Sequence, residues 1–244
     1  MQSAPYNYNT IYAEGDFDVE YRVEIGGKFI EQSGIWSMKT TRTLFTDNQI
    51  MMGCVNIGQI DLEISKPSFE IPRRAKIRPF IRIRSRRNKN LVSGWLQKGE
   101  FFIDTRPEDD GDGITTITIE GFDALRKANQ NYPSSTLYWS STSPTALQVV
   151  REIAKFIDVI VDSATVAKLS SKQYIVGFPA QYTMSEVLGS IATMYGGNFC
   201  ISDTGTLLLV GLMDLPLETY YLTNEEGDCI TFGTGANETI IETQ

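Results

Sequence analysis

Residues 58–125 read GQIDLEISKPSFEIPRRAKIRPFIRIRSRRNKNLVSGWLQKGEFFIDTRPEDDGDGITTITIEGFDAL, and the alternation of apolar with polar side chains along them decides the fold. Over 59–65, Ile60, Leu62 and Ile64 point one way and Gln59, Asp61 and Glu63 the other, the period-two pattern of a half-buried strand. Residues 76–84 repeat it, with Ile77, Pro79, Ile81 and Ile83 against Lys76, Arg78, Arg82 and Arg84. Proline cannot donate to a ladder, so Pro79 predicts an edge or bulged strand. Residues 95–104 are split by Gly99, which predicts a bulge or sharp bend. After turn residues at 109–113, the alternation at 114–120 completes a hairpin with the strand before it, and 126–128 predicts a short closing helix. Four such strands in succession predict a β-meander.

Working outward, 17–25 alternates Phe17, Val19, Tyr21, Val23 and Ile25 against charged residues and turns at Gly26-Gly27 into 28–30, a hairpin. Residues 1–13 are polar and aromatic and predict an arm or loop, while 34–45 fits neither period. The turn residues at 131–136 suggest a domain boundary, after which the grammar is helical. Ser143-Pro144 predicts an N-cap followed by proline at the first helical position, with apolar residues from Ala146 to Ile157 at spacings of three and four. Thr183 and Glu186 form a capping-box pattern that opens a second helix, ended by Gly196-Gly197. A hairpin at 198–202 and 206–210 turns across Asp203-Thr204-Gly205. The predicted class is a β-rich α+β fold: an antiparallel, tube-like β-barrel or curled-sheet domain with an N-terminal arm at 1–132, and a smaller α+β domain of two helices and a β-hairpin at 133–212. Residues 213–244 are strands that return to the barrel or begin a truncated second one.

Composition excludes several function classes. The 244 residues include no histidine, which removes the usual general base, the usual zinc ligand and every histidine-dependent triad. Cys54, Cys200 and Cys229 lack metal-ligand spacing and are odd in number, so reduced thiols are expected and no metal or cofactor is predicted. No run approaches the roughly 18 apolar residues of a membrane helix. Asp109, Asp110 and Asp112 lack the further oxygen ligands and closing glutamate of a calcium loop, and Gly233-Thr234-Gly235 lacks the lysine of a phosphate loop; both predict turns.

Charge is strongly segregated within a net −8. Nine bases and no acid occur at 73–89, namely Arg73, Arg74, Lys76, Arg78, Arg82, Arg84, Arg86, Arg87 and Lys89. After Lys172 there are nine acids and no base, with Asp214, Glu218, Glu225, Glu226 and Asp228 concentrated in one segment. Clustered like charges repel unless opposed, so the basic run is expected to be an inter-subunit face whose counterpart is that acidic segment. Nucleic acid is an alternative opponent, and a solvated strand face is the third reading.

The order of an Ile71-Pro72-Arg73-Arg74-Ala75 step, a basic strand, the Gly99-Glu100-Phe101-Phe102-Ile103-Asp104 strand and Glu120-Gly121-Phe122-Asp123-Ala124-Leu125 resembles the first barrel of bacteriophage tail-hub proteins. The helix-then-hairpin unit at 183–212 resembles the second domain of that family. The resemblance implies the N-terminal portion of a structural hub at the distal end of the tail tube. Such hubs are trimers that match the hexameric tube with two similar barrels per subunit and hold a spike or fibre on the other side. It also implies partners among tail-tube and distal tail or baseplate proteins, contact with tape-measure protein or DNA during ejection, no catalysis, synthesis in the host cytoplasm and a place in the virion tail. Two other readings rest on single features. Asp203-Thr204-Gly205 matches the loop of retroviral-type aspartic peptidases, though an Asp-x-Gly hairpin turn explains it as well. A carbohydrate-binding host-attachment module would rest on Trp36, Trp95 and Trp139, which are expected to be core.

Overall fold

The computed structural model describes residues 4–43, 51–105, 116–133, 143–177, 181–211, 231–232 and 239–240. Strand β1 (Phe17–Ile25) and strand β2 (Lys28–Glu31) form the predicted hairpin. Gly26 and Gly27 both have positive φ (58° and 85°), as a two-residue turn matching the twist of its strands requires. After a 3-10 turn at Gln32–Gly34 come β3 (Ile35–Thr41), β4 (Gln59–Ser65) and β5 (Lys76–Ser85). Then follow β6 (Leu96–Gln97), β7 (Phe101–Thr105) and β8 (Thr116–Phe122). The eight strands form one antiparallel sheet in the order β2-β1-β5-β7-β8-β4-β3, with β6 also on β5.

This order corrects two expectations. The runs at 59–65 and 76–84 are not neighbours: β4 lies between β3 and β8, while β5 lies between β1 and β7. The sheet is therefore not a simple meander. Of the two expected forms, barrel and curled sheet, it is not the closed barrel, because its path ends at β2 and β3 and, among the described residues, no ladder joins them. Only three residues link those two strands, and such a link spans at most roughly 14 Å, so the sheet curls until its edges come near each other. Inside the curl, Val23, Ile25, Ile60, Leu62, Ile64, Ile77, Phe101 and Ile119 are buried in one cluster.

Pro79 lies in an interior strand, not at an edge, opposite Val23 of β1. In an antiparallel strand the N–H and C=O of one residue face the same side. The Pro79 carbonyl accepts from the Lys98 amide (2.8 Å), so the missing N–H faces the break between β6 and β7 and leaves the β1 ladder whole. Gly99 makes that break. Its φ is 150°, and a Cβ there would meet the Phe101 ring and the Arg42 guanidinium. Within the segment expected to be an arm or loop, α1 (Tyr8–Glu14) buries Ile11 and packs on the far end of β5.

The second layer contains α2 (Ala146–Ile157), β9 (Ile160–Val161), α3 (Ser163–Ser171), α4 (Met184–Met194), β10 (Gly197–Ile201) and β11 (Thr206–Gly211). The cap of α2 is Thr145, two residues beyond the expected Ser143, with Gln148 completing a capping box. Thr183 caps α4 as predicted: the Glu186 amide donates to Thr183 Oγ1 (3.2 Å) and the Thr183 amide donates to Glu186 Oε2 (2.7 Å). β9 and α3 are additions to the sequence reading. Two-residue β9 joins β11 in parallel beside the predicted hairpin, and α3 buries only Thr165 and Leu169.

The layers meet at a 3-10 helix, Ala124–Asn129, whose Ala124, Leu125 and Ala128 belong to the second hydrophobic cluster. Val55 bridges Phe199 in parallel, and Phe102 packs against the same cluster. Met1–Gly211 thus forms one compact unit with two cores, and Leu212–Gln244 forms another, in which β12 (Thr231–Phe232) pairs with β13 (Thr239–Ile240). Among the described residues, no helix is long and apolar enough to cross a membrane.

Candidate interaction surface

Register brings complementary charges together on the outer face of β1 and β5. Asp18 stands opposite Arg84, Glu20 opposite Arg82 and Glu24 opposite Arg78. Glu20 accepts from Arg84 Nε (2.5 Å) and Arg82 Nε (2.6 Å), and those bonds, Arg84's first, hold its carboxyl below the ordinary range against the opposing effect of burial. Arg78 donates to Glu100 (2.9 Å) and pairs with Glu24 (3.3 Å), Lys76 pairs with Glu100 (2.7 Å), and Arg86 pairs with Asp18 (2.7 Å). Several bases of the run expected to meet acids across subunits thus meet them within the chain, because β1 and the turn before β7 supply them. Both alternations were visible in the sequence. Which strand lies beside which was not.

The remaining bases of the run are Arg73 and Arg74 in the turn before β5 and Arg87 and Lys89 in the loop after it, all four exposed. The acidic segment with Asp214, Glu218, Glu225, Glu226 and Asp228 lies outside the described residues, as do Asp109, Asp110, Asp112, the 233–235 turn and Trp139.

Arg22 occupies the one outward position of β1 that faces a ring, Phe80, across the ladder. Its guanidinium carbon lies 4.3 Å from the ring centres of Phe29 and Trp95, and Arg82 stacks on the same indole at 4.4 Å. Burial among these rings lowers the Arg22 pKa from its usual value. This cluster escaped sequence reading because its members come from four separate segments. Trp36 departs from the expected core position and is 68% exposed, its indole N–H donating to Ser65 Oγ (3.0 Å).

Asp203 sits in the β10–β11 turn, paired with Arg42 and lying 3.7 Å from Lys98. It shares a cavity of about 500 Å³ with Asp123 and Cys200. A peptidase dyad needs two aspartates sharing one proton. Here Asp203 faces two cations, and Asp123 is occupied as a cap, accepting from the Gly58 amide (2.7 Å) and the Leu125 amide (3.0 Å). Burial outweighs those two bonds and pushes the Asp123 carboxyl up to about 6. Burial likewise pushes the Cys200 thiol up to about 11, so it is not an activated nucleophile at neutral pH. Among the described residues, no group of three or more Cys, Asp or Glu side chains could hold a metal ion.

No protein-family model and no curated protein matches the chain. Among solved structures it is similar to the 43 kDa tail protein of prophage MuSo2 from Shewanella oneidensis, with a TM-score of 0.50 and 14% identity over 80% of this chain and 56% of that one. A tail protein from Neisseria meningitidis MC58 gives a TM-score of 0.49 at 14% identity, over 80% and 51% of the two chains. The chain therefore spans about half the length of these two proteins, and at such identity what it shares with the prophage protein is its fold.

Proposed function

We propose that this protein is a structural component of a bacteriophage tail, the hub at the distal end of the tail tube that joins the tube to the spike or fibre apparatus. The observation that carries the reading is the fold likeness to the prophage tail protein over 80% of the chain. The ion-paired Asp203 and the capping Asp123, which leave the cavity between them without a free carboxylate pair, support a structural role over a hydrolytic one. In this reading residues 1–132 contribute a tube-like wall, 133–212 a supporting α+β domain, and 213–244 strands that return to that wall or begin a second barrel. The protein is a homo-oligomer of three copies in the virion tail, bound to tube and baseplate neighbours, with basic residues of one subunit meeting the acidic segment of the next.

Sedimentation of the purified chain over a range of concentrations, followed by negative-stain imaging, tests the oligomer. Trimers that image as rings are expected. A chain that remains monomeric at every concentration, or that digests casein or peptidoglycan in a manner abolished by Asp203→Asn, would overturn the proposal.

A further inference from the structure

Register lays Lys76, Phe102, Phe122 and Gln59 side by side across β5, β7, β8 and β4, with Lys76 opposite Phe102, Phe102 opposite Phe122 and Phe122 opposite Gln59. Both phenylalanines are half-buried and carry cations on their faces. Lys127 Nζ lies 4.5 Å and Lys76 Nζ 5.6 Å from the Phe102 ring centre, and the Arg126 guanidinium carbon lies 5.1 Å from that of Phe122. Arg74, in the left-handed conformation (φ 56°) two residues before β5, joins these rings, Arg126 and Lys127 around an open cleft of about 420 Å³.

The charge state of this cleft differs from that of the neighbouring β5 face. There the bases are matched by acids in register. Here, among the described residues, no carboxylate pairs with Arg74, Arg126 or Lys127; Lys127 Nζ donates only to the Ile157 carbonyl (3.3 Å). Two carboxylates line the cleft. Asp104 is exposed, and Asp123 is buried with both oxygens engaged by backbone amides. Exposed Arg74 and Arg126 and half-buried Lys127, on or beside two aromatic rings, suit a chain that carries both carboxylates and apolar groups.

We infer that this cleft docks the acidic segment at 214–228 of a second copy of the chain. That segment carries Asp214, Glu218, Glu225, Glu226 and Asp228 with no base, and its Tyr220, Tyr221 and leucines offer apolar contact for the Phe102 and Phe122 rings. A polynucleotide fits less well, because it would approach a protein of net charge −8 and meet Asp104 in the cleft. The inference deepens the tail reading and rests on its oligomeric part: it moves the receptor for the acidic segment from the ion-paired β5 face to the unpaired cations beside it.

The test is sedimentation equilibrium of full-length variants. Arg74→Asp with Arg126→Glu reverses the cleft; aspartate tolerates the left-handed backbone at 74, and both positions are exposed. Glu225→Lys with Glu226→Lys reverses the segment. Each variant alone should associate at least about tenfold more weakly than wild type, and an equimolar mixture of the two should recover association between unlike copies, two contacts of a mixed ring of three being complementary and the third like-signed. Circular dichroism confirms folding, and the milder Arg126→Gln should weaken association in the same direction. Unchanged association in both reversed variants, or no recovery on mixing, would overturn the cleft while leaving the tail reading standing. A wild type that never associates would overturn both. Tighter binding of the wild type to a single-stranded oligonucleotide than to a peptide of residues 214–228, lost in the cleft variant, would assign the cleft to nucleic acid.

Discussion

Asp123 shows how one side chain can join two layers at an energetic cost. Its carboxylate fixes Gly58 at the start of β4 and caps the 3-10 helix that enters the second core. Because burial raises its pKa from 3.8 to about 6, the folded state binds the proton more tightly than the unfolded chain does. The contribution of this group is therefore fully present below about 4 and is lost as pH rises through about 6, a change of up to about 3 kcal/mol. Asp123→Asn keeps one acceptor and places a donor against the other amide, so it should destabilise the protein by about 1–3 kcal/mol and remove this pH dependence. Urea denaturation at several pH values checks it: the gap between wild type and variant should be wider at pH 4.5 than at pH 7.5. Parallel profiles would contradict the assignment. From sequence, Asp123 was one residue in a quoted motif, since its burial depends on Gly58 and Arg42 arriving from elsewhere in the chain.

At the scale of elements, β1 and β5 are matched over nine consecutive residue pairs, apolar inward except for Ser85 and charged outward except for Phe80. Period-two alternation revealed each strand, and the glycine pair revealed the β1–β2 turn. What period cannot reveal is the partner across a gap of fifty residues, so chain order alone sets β5 beside β4 and leaves its bases unopposed. The charges themselves held a hint, because Asp18, Glu20 and Glu24 are spaced to meet Arg84, Arg82 and Arg78. Helices were legible where they carry both a cap and an apolar stripe, as Thr183 and α4 do. α3 buries two residues and offered no stripe to find. The pairing also changes what charge reversal does. Arg82→Glu with Arg84→Glu places three carboxylates together around residue 20 and should destabilise the fold by about 1–3 kcal/mol, most strongly at low salt. Adding Glu20→Lys should recover part of the loss in thermal melts. A double variant as stable as wild type would show that these bonds do not hold the β1–β5 ladder.

For the whole molecule, the sheet that curls without closing, the second layer docked at its end and the unpaired cations at their junction suit a subunit that completes its contacts in an assembly. The class of fold was legible because alternation and capping are local, whereas the open edges and the cleft depend on long-range register. Immunogold labelling of intact phage particles with an antibody to this protein tests the central claim most directly. Gold at the distal end of the tail, in particles that still infect, is the predicted result. Particles that carry no label, from cells where the same antibody detects the protein free of virions, would contradict it.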